Sequence, residues 1–161
     1  MRNRPRSLAA PPESRDDDPV ISTLMTTRIV GITPDAPVST ALNLMAATGV
    51  RHLPVLSGNR CLGVLREADV IQHLAAISTS AVDQAATPVA RLTRRAASVS
   101  VSAHRSDAAR CMDVDSVDAV LVTDRHGLVG IVTATDLIRS LASDAPAVPQ
   151  QNQAQPSGDP P

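Results

Sequence analysis

Phenylalanine, tyrosine and tryptophan are all missing from the 161 residues. No base can stack on an aromatic face here, which excludes the stacking platforms of single-strand binders. Lysine is missing too, so all 15 cationic side chains are arginine. Losing these residues together in an alanine-rich chain reads as codon usage rather than a demand of function. The formal charge is −1, so no overall positive field draws the chain to nucleic acid. Two cysteines, Cys61 and Cys111, are too few for a disulfide framework or a metal cluster, and both sit among apolar residues. No apolar run approaches the roughly 18 residues that span a bilayer, and no apolar signal core follows Met1 to Arg6. The expected compartment is the cytoplasm, with no membrane contact.

Hydrophobic residues make up 43% of the chain, enough for a core of Val, Leu, Ile, Ala and Met. Residues 1–18 mix Arg, Pro and Asp, and residues 144–161 turn to Pro, Gln, Ala and Gly. Both stretches have little to bury and are expected to be disordered tails. Between them the chain repeats itself. Residues 20–74 align with 87–141 at a constant offset of 67, with twelve identities that include Gly63/Gly130, Asp69/Asp136, Ile71/Ile138 and Leu74/Leu141. Glycine and aspartate recurring inside one apolar frame mark an internal duplication. The expected units are residues 19–80 and 81–143.

Each copy follows one grammar. A short extended stretch (29–32; 97–99) precedes a turn and an amphipathic helix, with Pro37 at one helix start and Ser102 as the plausible cap of the other. Two apolar runs around a polar turn then read as a hairpin (52–56 with 61–65; 119–123 with 128–132). A second helix closes the unit, over 67–77 and 134–142. The fold class is α/β, of the α+β kind: two tandem β-α-β-β-α units. Neither can cover both faces of its own sheet, so the two should pack together.

Leu53-Pro54-Val55, the hairpin turn and above all Gly130-Ile131-Val132-Thr133-Ala134-Thr135-Asp136-Leu137 resemble the tandem CBS (cystathionine-β-synthase-type) domain pair, or Bateman module. The octapeptide is similar to that family's nucleotide signature, and the resemblance spans about residues 20 to 143. It implies two repeats about a pseudo-twofold axis with two clefts, and a regulatory ligand containing adenosine: AMP, ADP, ATP or S-adenosylmethionine. It also implies a homodimer, and an effector protein that reads the ligand state.

The chemistry of the strand-to-helix junction points the same way. A helix start offers unpaired N–H groups and a dipole that favours anions. Thr133 and Thr135 supply hydroxyls, Asp136 can accept both vicinal hydroxyls of a ribose, and Gly130 admits close backbone approach. The same residues also read as a capped helix, with Thr133 as N-cap and Asp136 as its reciprocal acid. The resemblance implies that Val99, Val120 and Ile131 line the base pocket. Arg139, with Arg94 or Arg95, is a candidate for the phosphates.

In the first copy both hydroxyl positions are lost, to Arg66 and Ala68, while Asp69 remains. Arg66 could grip a phosphate or pair with a surface acid, so that site is degenerate or specialised. No pairing of the four histidines suits a metal, and no nucleophile motif occurs; an enzyme is not expected. A ligand-independent dimerisation or scaffold module is the alternative to a sensor. Nucleic-acid binding through Arg2, Arg4 and Arg6 ranks below both.

Overall fold

In the computed structural model, which describes residues 18–76 and 86–144, Pro37 opens the first helix and Gly49 ends it. Helix α1 spans Val38–Thr48, and Gly49 stops it at φ +72°, a left-handed conformation natural to glycine. An antiparallel hairpin follows, strands β1 (His52–Ser57) and β2 (Arg60–Arg66), then helix α2 (Glu67–Ala76). The second copy repeats this with β3 (Ser98–Ser100), α3 (Arg105–Asp115), β4 (Ala119–Asp124), β5 (Gly127–Thr133) and α4 (Ala134–Asp144). Val55 faces Gly63 across one hairpin, and Val122 faces Gly130 at the same register of the other. The expected element order is therefore the observed one, except that the first copy lacks its first strand.

The first strand of each copy is shorter than, or displaced from, the expected stretch. In the first copy only Ile32 pairs, as a parallel bridge to Val55, while in the second β3 runs parallel to β4. Ser102 does not cap α3. His104 holds that position, its amide donating to Asp107 3.1 Å away, and Ser102 turns instead to the Ser100 hydroxyl. Asp18, expected at the end of a tail, is fixed at the same helix start. Its carboxylate accepts the Ser106 amide at 2.9 Å and hydroxyl at 2.6 Å. Asp144, expected to begin the second tail, instead ends α4; residues 1–17 and 145–161 and the expected boundary between residues 80 and 81 lie outside the described residues.

The two copies exchange their leading segments. A 3₁₀ turn at Ile21–Thr23 delivers Ile21 into the core of the second copy, among Ala108, Met112, Val120, Val122 and Val132. The matching turn at Val89–Arg91 delivers Val89 into the core of the first, among Val38, Met45, Leu53 and Leu65. The backbone bonds correspond pairwise. Ile21 N–H donates to Ala103 O and Val89 N–H to Ala36 O, at 2.7 and 2.8 Å. Thr26 exchanges two bonds with Ile131, and Arg94 exchanges two with Val64.

These partners correct the gapless alignment. Ile21 matches Val89 and Thr26 matches Arg94, an offset of 68, whereas Ile32 matches Val99 at 67. One residue is thus lost between the leading segment and the first strand of the second copy. The shared glycines serve this exchange. A Cβ on Gly63 would collide with the Arg94 carbonyl, and one on Gly130 would lie 2.6 Å from the Met25 sulfur. Among the described residues no helix is long and apolar enough to cross a membrane.

Candidate functional site

A cleft of about 350 Å³ opens beside the start of α4. Where β5 runs into that helix, Thr133 and Asp136 form the reciprocal cap that the sequence allowed. The Thr133 amide and hydroxyl donate to Asp136 Oδ2 at 2.9 and 2.7 Å, and the Asp136 amide donates back to the hydroxyl at 3.4 Å. Asp136 Oδ1 accepts a longer bond from Arg139 at 3.3 Å. Capping leaves Oδ1 the less committed oxygen. Thr133→Ala should cost about 1 kcal/mol of stability in the absence of any ligand; urea denaturation checks this, and an unchanged midpoint would remove the cap from the account.

The exchange brings the first copy to this cleft. Arg28, Ile29 and Val30 follow the crossing strand residue Thr26, and Val50, Arg51, His52 and Pro54 come from the turn into β1. Ile131, Val50, Val30 and Pro54 make an apolar wall. Three guanidiniums (Arg28, Arg51 and Arg139) face two carboxylates, Asp118 and Asp136. Both acids are engaged, Asp136 by its cap and Arg139, and Asp118 by His52, whose Nε2 lies 2.9 Å from Asp118 Oδ1. That bond and the nearby charge of His52 hold the Asp118 carboxyl below the usual range, against the opposing effect of burial.

The structure therefore brings together Ile131, Thr133, Thr135, Asp136 and Arg139. It does not bring Val99 or Val120 to the cleft: Val120 is buried in the second core and Val99 packs against it. Gly130 faces Met25 and Thr26 rather than the cavity. Arg94 and Arg95 line a different cleft. The reason is common to the arginines: reading each copy as self-contained assigns the wrong leading segment to each junction. Arg28 and Arg51 escaped notice on that ground, although the pairing of Arg28 with Arg95 in the duplication was a visible signal.

The junction of the first copy has a different state. Asp69 is 8% exposed, and two arginines grip it edge-on. Arg66 donates from Nε and Nη2 at 2.8 and 2.9 Å, and Arg94 does the same at 2.9 and 3.0 Å. These bonds, Arg66 foremost, hold the Asp69 carboxyl at about 2. Arg66 is therefore paired with an acid, but a buried one of its own helix start rather than the surface acid of its sequence reading. The adjoining cleft, about 410 Å³, is lined by Val64, Arg66, Arg94, Arg95, Ala97 and Val117 together with His52 and Asp118.

Comparison with known proteins agrees with this architecture. The CBS domain family matches twice, over residues 21–76 and 89–143, so the starts differ by 68 and the ends by 67, as in the structure. An uncharacterised 17.7 kDa protein of Acidianus ambivalens is 31% identical over 75 residues, and the match spans 46% of each chain, about half of that relative. A protein of Methanocaldococcus jannaschii, described as a candidate archaeal homologue of γ-AMPK, superposes with a TM-score of 0.67 at 21% identity, over 74% of this chain and 46% of that one. The CBS domain of a bacterial CNNM/CorC family Mg²⁺ transporter, solved in complex with ATP, superposes with a TM-score of 0.66 at 21% identity, over 78% of this chain and 88% of that one. At these identities the two structures establish the shared fold.

Proposed function

Because the chain belongs to the CBS domain family, matched in two tandem segments, we propose that it is a cytoplasmic regulatory module whose second-copy cleft binds an adenine nucleotide. It acts by binding rather than by turnover. The observation that carries this reading is the composition of the cleft: an apolar wall, an acid at a helix start and three guanidiniums in one cavity. The wall, made of Ile131, Val50, Val30 and Pro54, suits a purine. Asp136 Oδ1 is placed to accept ribose hydroxyls in exchange for its long bond to Arg139. Arg28, Arg51 and Arg139 suit phosphates, which they can meet as forked donors. The excess of cations favours AMP, ADP or ATP over the positively charged S-adenosylmethionine. The ATP complex of the related transporter domain supports the ligand class.

Ligand contacts would come from both copies, Arg28 and Arg51 from one and Thr133 to Arg139 from the other. Occupancy would then bias how the copies sit against each other, and an effector protein would read that bias. Thermal denaturation with AMP, ADP, ATP and S-adenosylmethionine tests the reading. A ligand at a hundredfold excess over its Kd should stabilise the protein by about 2.7 kcal/mol, a shift of roughly 5–10 °C. Asp136→Ala should abolish most of it. A wild-type protein indifferent to all four at millimolar concentration would refute the proposal.

A ligand-independent homodimer or scaffold module is favoured by a separate observation. Ile71 on α2 and Ile138 on α4, equivalent in the duplication, are 52% and 65% exposed, and apolar side chains this open suit a protein contact. It calls for concentration-dependent association in sedimentation, unmoved by nucleotide.

A further inference from the structure

The two junctions are equivalent by position and opposite in state. Thr133 corresponds to Arg66, Asp136 to Asp69 and Thr26 to Arg94. The first-copy cleft keeps the space and the apolar wall of its counterpart, with Val64, Ala97 and Val117 standing where Ile131, Val30 and Val50 stand. What differs is the acid: Asp136 lines its cleft, whereas Asp69 lies behind Arg66 and Arg94, which line this one in its place. An ionised carboxylate has about four acceptor positions, and the two guanidinium forks fill four on Asp69.

We propose that Arg94 is an internal occupant of the ribose position in the first copy, taking the acceptor positions on Asp69 that a ligand's vicinal hydroxyls would need and leaving the chain one junction acid out of two that can take a ligand. The inference rests on the nucleotide reading given above. The two arginines contribute unequally. Arg66 sits three residues before Asp69, as Thr133 does before Asp136, and so belongs to the local helix start. Arg94 arrives from 25 residues away on the exchanged segment, anchored by its backbone bonds to Val64. Its side chain is 62% exposed, so the guanidinium is placed from the solvent side, across the mouth of the junction. At the matching place in the other cleft, Thr26 is too short to reach Asp136. Arg94 therefore decides whether the acid faces a ligand or a cation of the same chain.

Calorimetric titration with ATP separates the possibilities. Wild type should bind about one ATP per chain, and Arg94→Thr, which installs the residue found at position 26, should bind about two. The added site should vanish in Arg94→Thr/Asp69→Asn and survive in Arg94→Thr/Asp136→Ala. Arg94→Gln keeps the stem and the backbone bonds to Val64, and it serves if the threonine variant does not fold. Two ligands on wild type, or one on both wild type and the position-94 variants, would overturn the proposal while leaving the nucleotide reading intact. None on wild type but one on the variant would sink the nucleotide reading for the second-copy cleft and uphold the role of Arg94. None on either would sink both.

Discussion

Ile21→Ala should lower the stability of the protein by about 3 kcal/mol, within the 2–5 kcal/mol typical of emptying a buried aliphatic site, and the loss should appear in the distant second copy. Ile21 is 0% exposed. It is walled by Ala108, Met112, Val120, Val122, Val132 and Leu137, which the chain reaches only about a hundred residues later. Small neighbours such as Ala108 cannot swing in to fill the gap, so most of the cavity should persist. Guanidinium denaturation measures the total. Hydrogen exchange locates it: amides of β4 and β5 should lose protection before those of β1 and β2. Equal loss in both hairpins, or loss confined to the first, would contradict the exchanged packing. Val89→Ala should give the mirror result, weakening β1 and β2.

The acid limb of the stability curve should belong largely to Asp69. Its carboxyl titrates at about 2 in the folded chain, against an ordinary 3.8. A depressed folded value means that the carboxylate stabilises the fold above the unfolded pKa and that this contribution is lost as pH falls through the folded one. It amounts to about 2 kcal/mol, disappearing between roughly pH 4 and pH 2. The Asp69 side chain is shielded, but that of Arg94 is 62% exposed, so solvent screening discounts part of it. At neutral pH Asp69→Asn should cost about 3 kcal/mol, since it strands two guanidiniums; because Arg66 and Arg94 are partly open to water, the cost falls at the low end of the range for buried pairs. The variant should also flatten the curve between pH 4 and 2. A variant as acid-sensitive as wild type would assign the limb elsewhere, to Asp18 or Asp118, whose carboxyls are also held low.

Periodicity and duplication made the elements legible. Four helices and both hairpins stand where alternating runs, Pro37 and the polar turns put them. The capping of α4 by Thr133 and Asp136 was legible as well, because a cap is a local device written within three residues. The exchange was not. Ile21 and Val89 carry the same apolar signal whichever core they enter, and no local rule distinguishes the two. That ambiguity propagated to the cleft. Arg28 and Arg51 belong to it through a crossing that only the three-dimensional arrangement reveals, and Val99 and Val120 are core because the sheet turns them away from it. The pairing of Asp69 with Arg94 was hidden for the same reason: the two lie 25 residues apart, on segments of different copies.

His52 and Asp118 have a consequence of their own. Among the described residues they alone line both clefts, and they are bonded to each other at 2.9 Å. The two cavities therefore share a party wall made of one histidine and one aspartate, each supplied by a different copy. A wall with two tenants cannot be rearranged for one without notice to the other. Anything that pulls Asp118 toward one side withdraws it from the second, and reciprocity requires the converse to hold with the same free energy. A ligand in the second-copy cleft would therefore bear on the first-copy cleft through this partition, whether or not that cleft is itself filled.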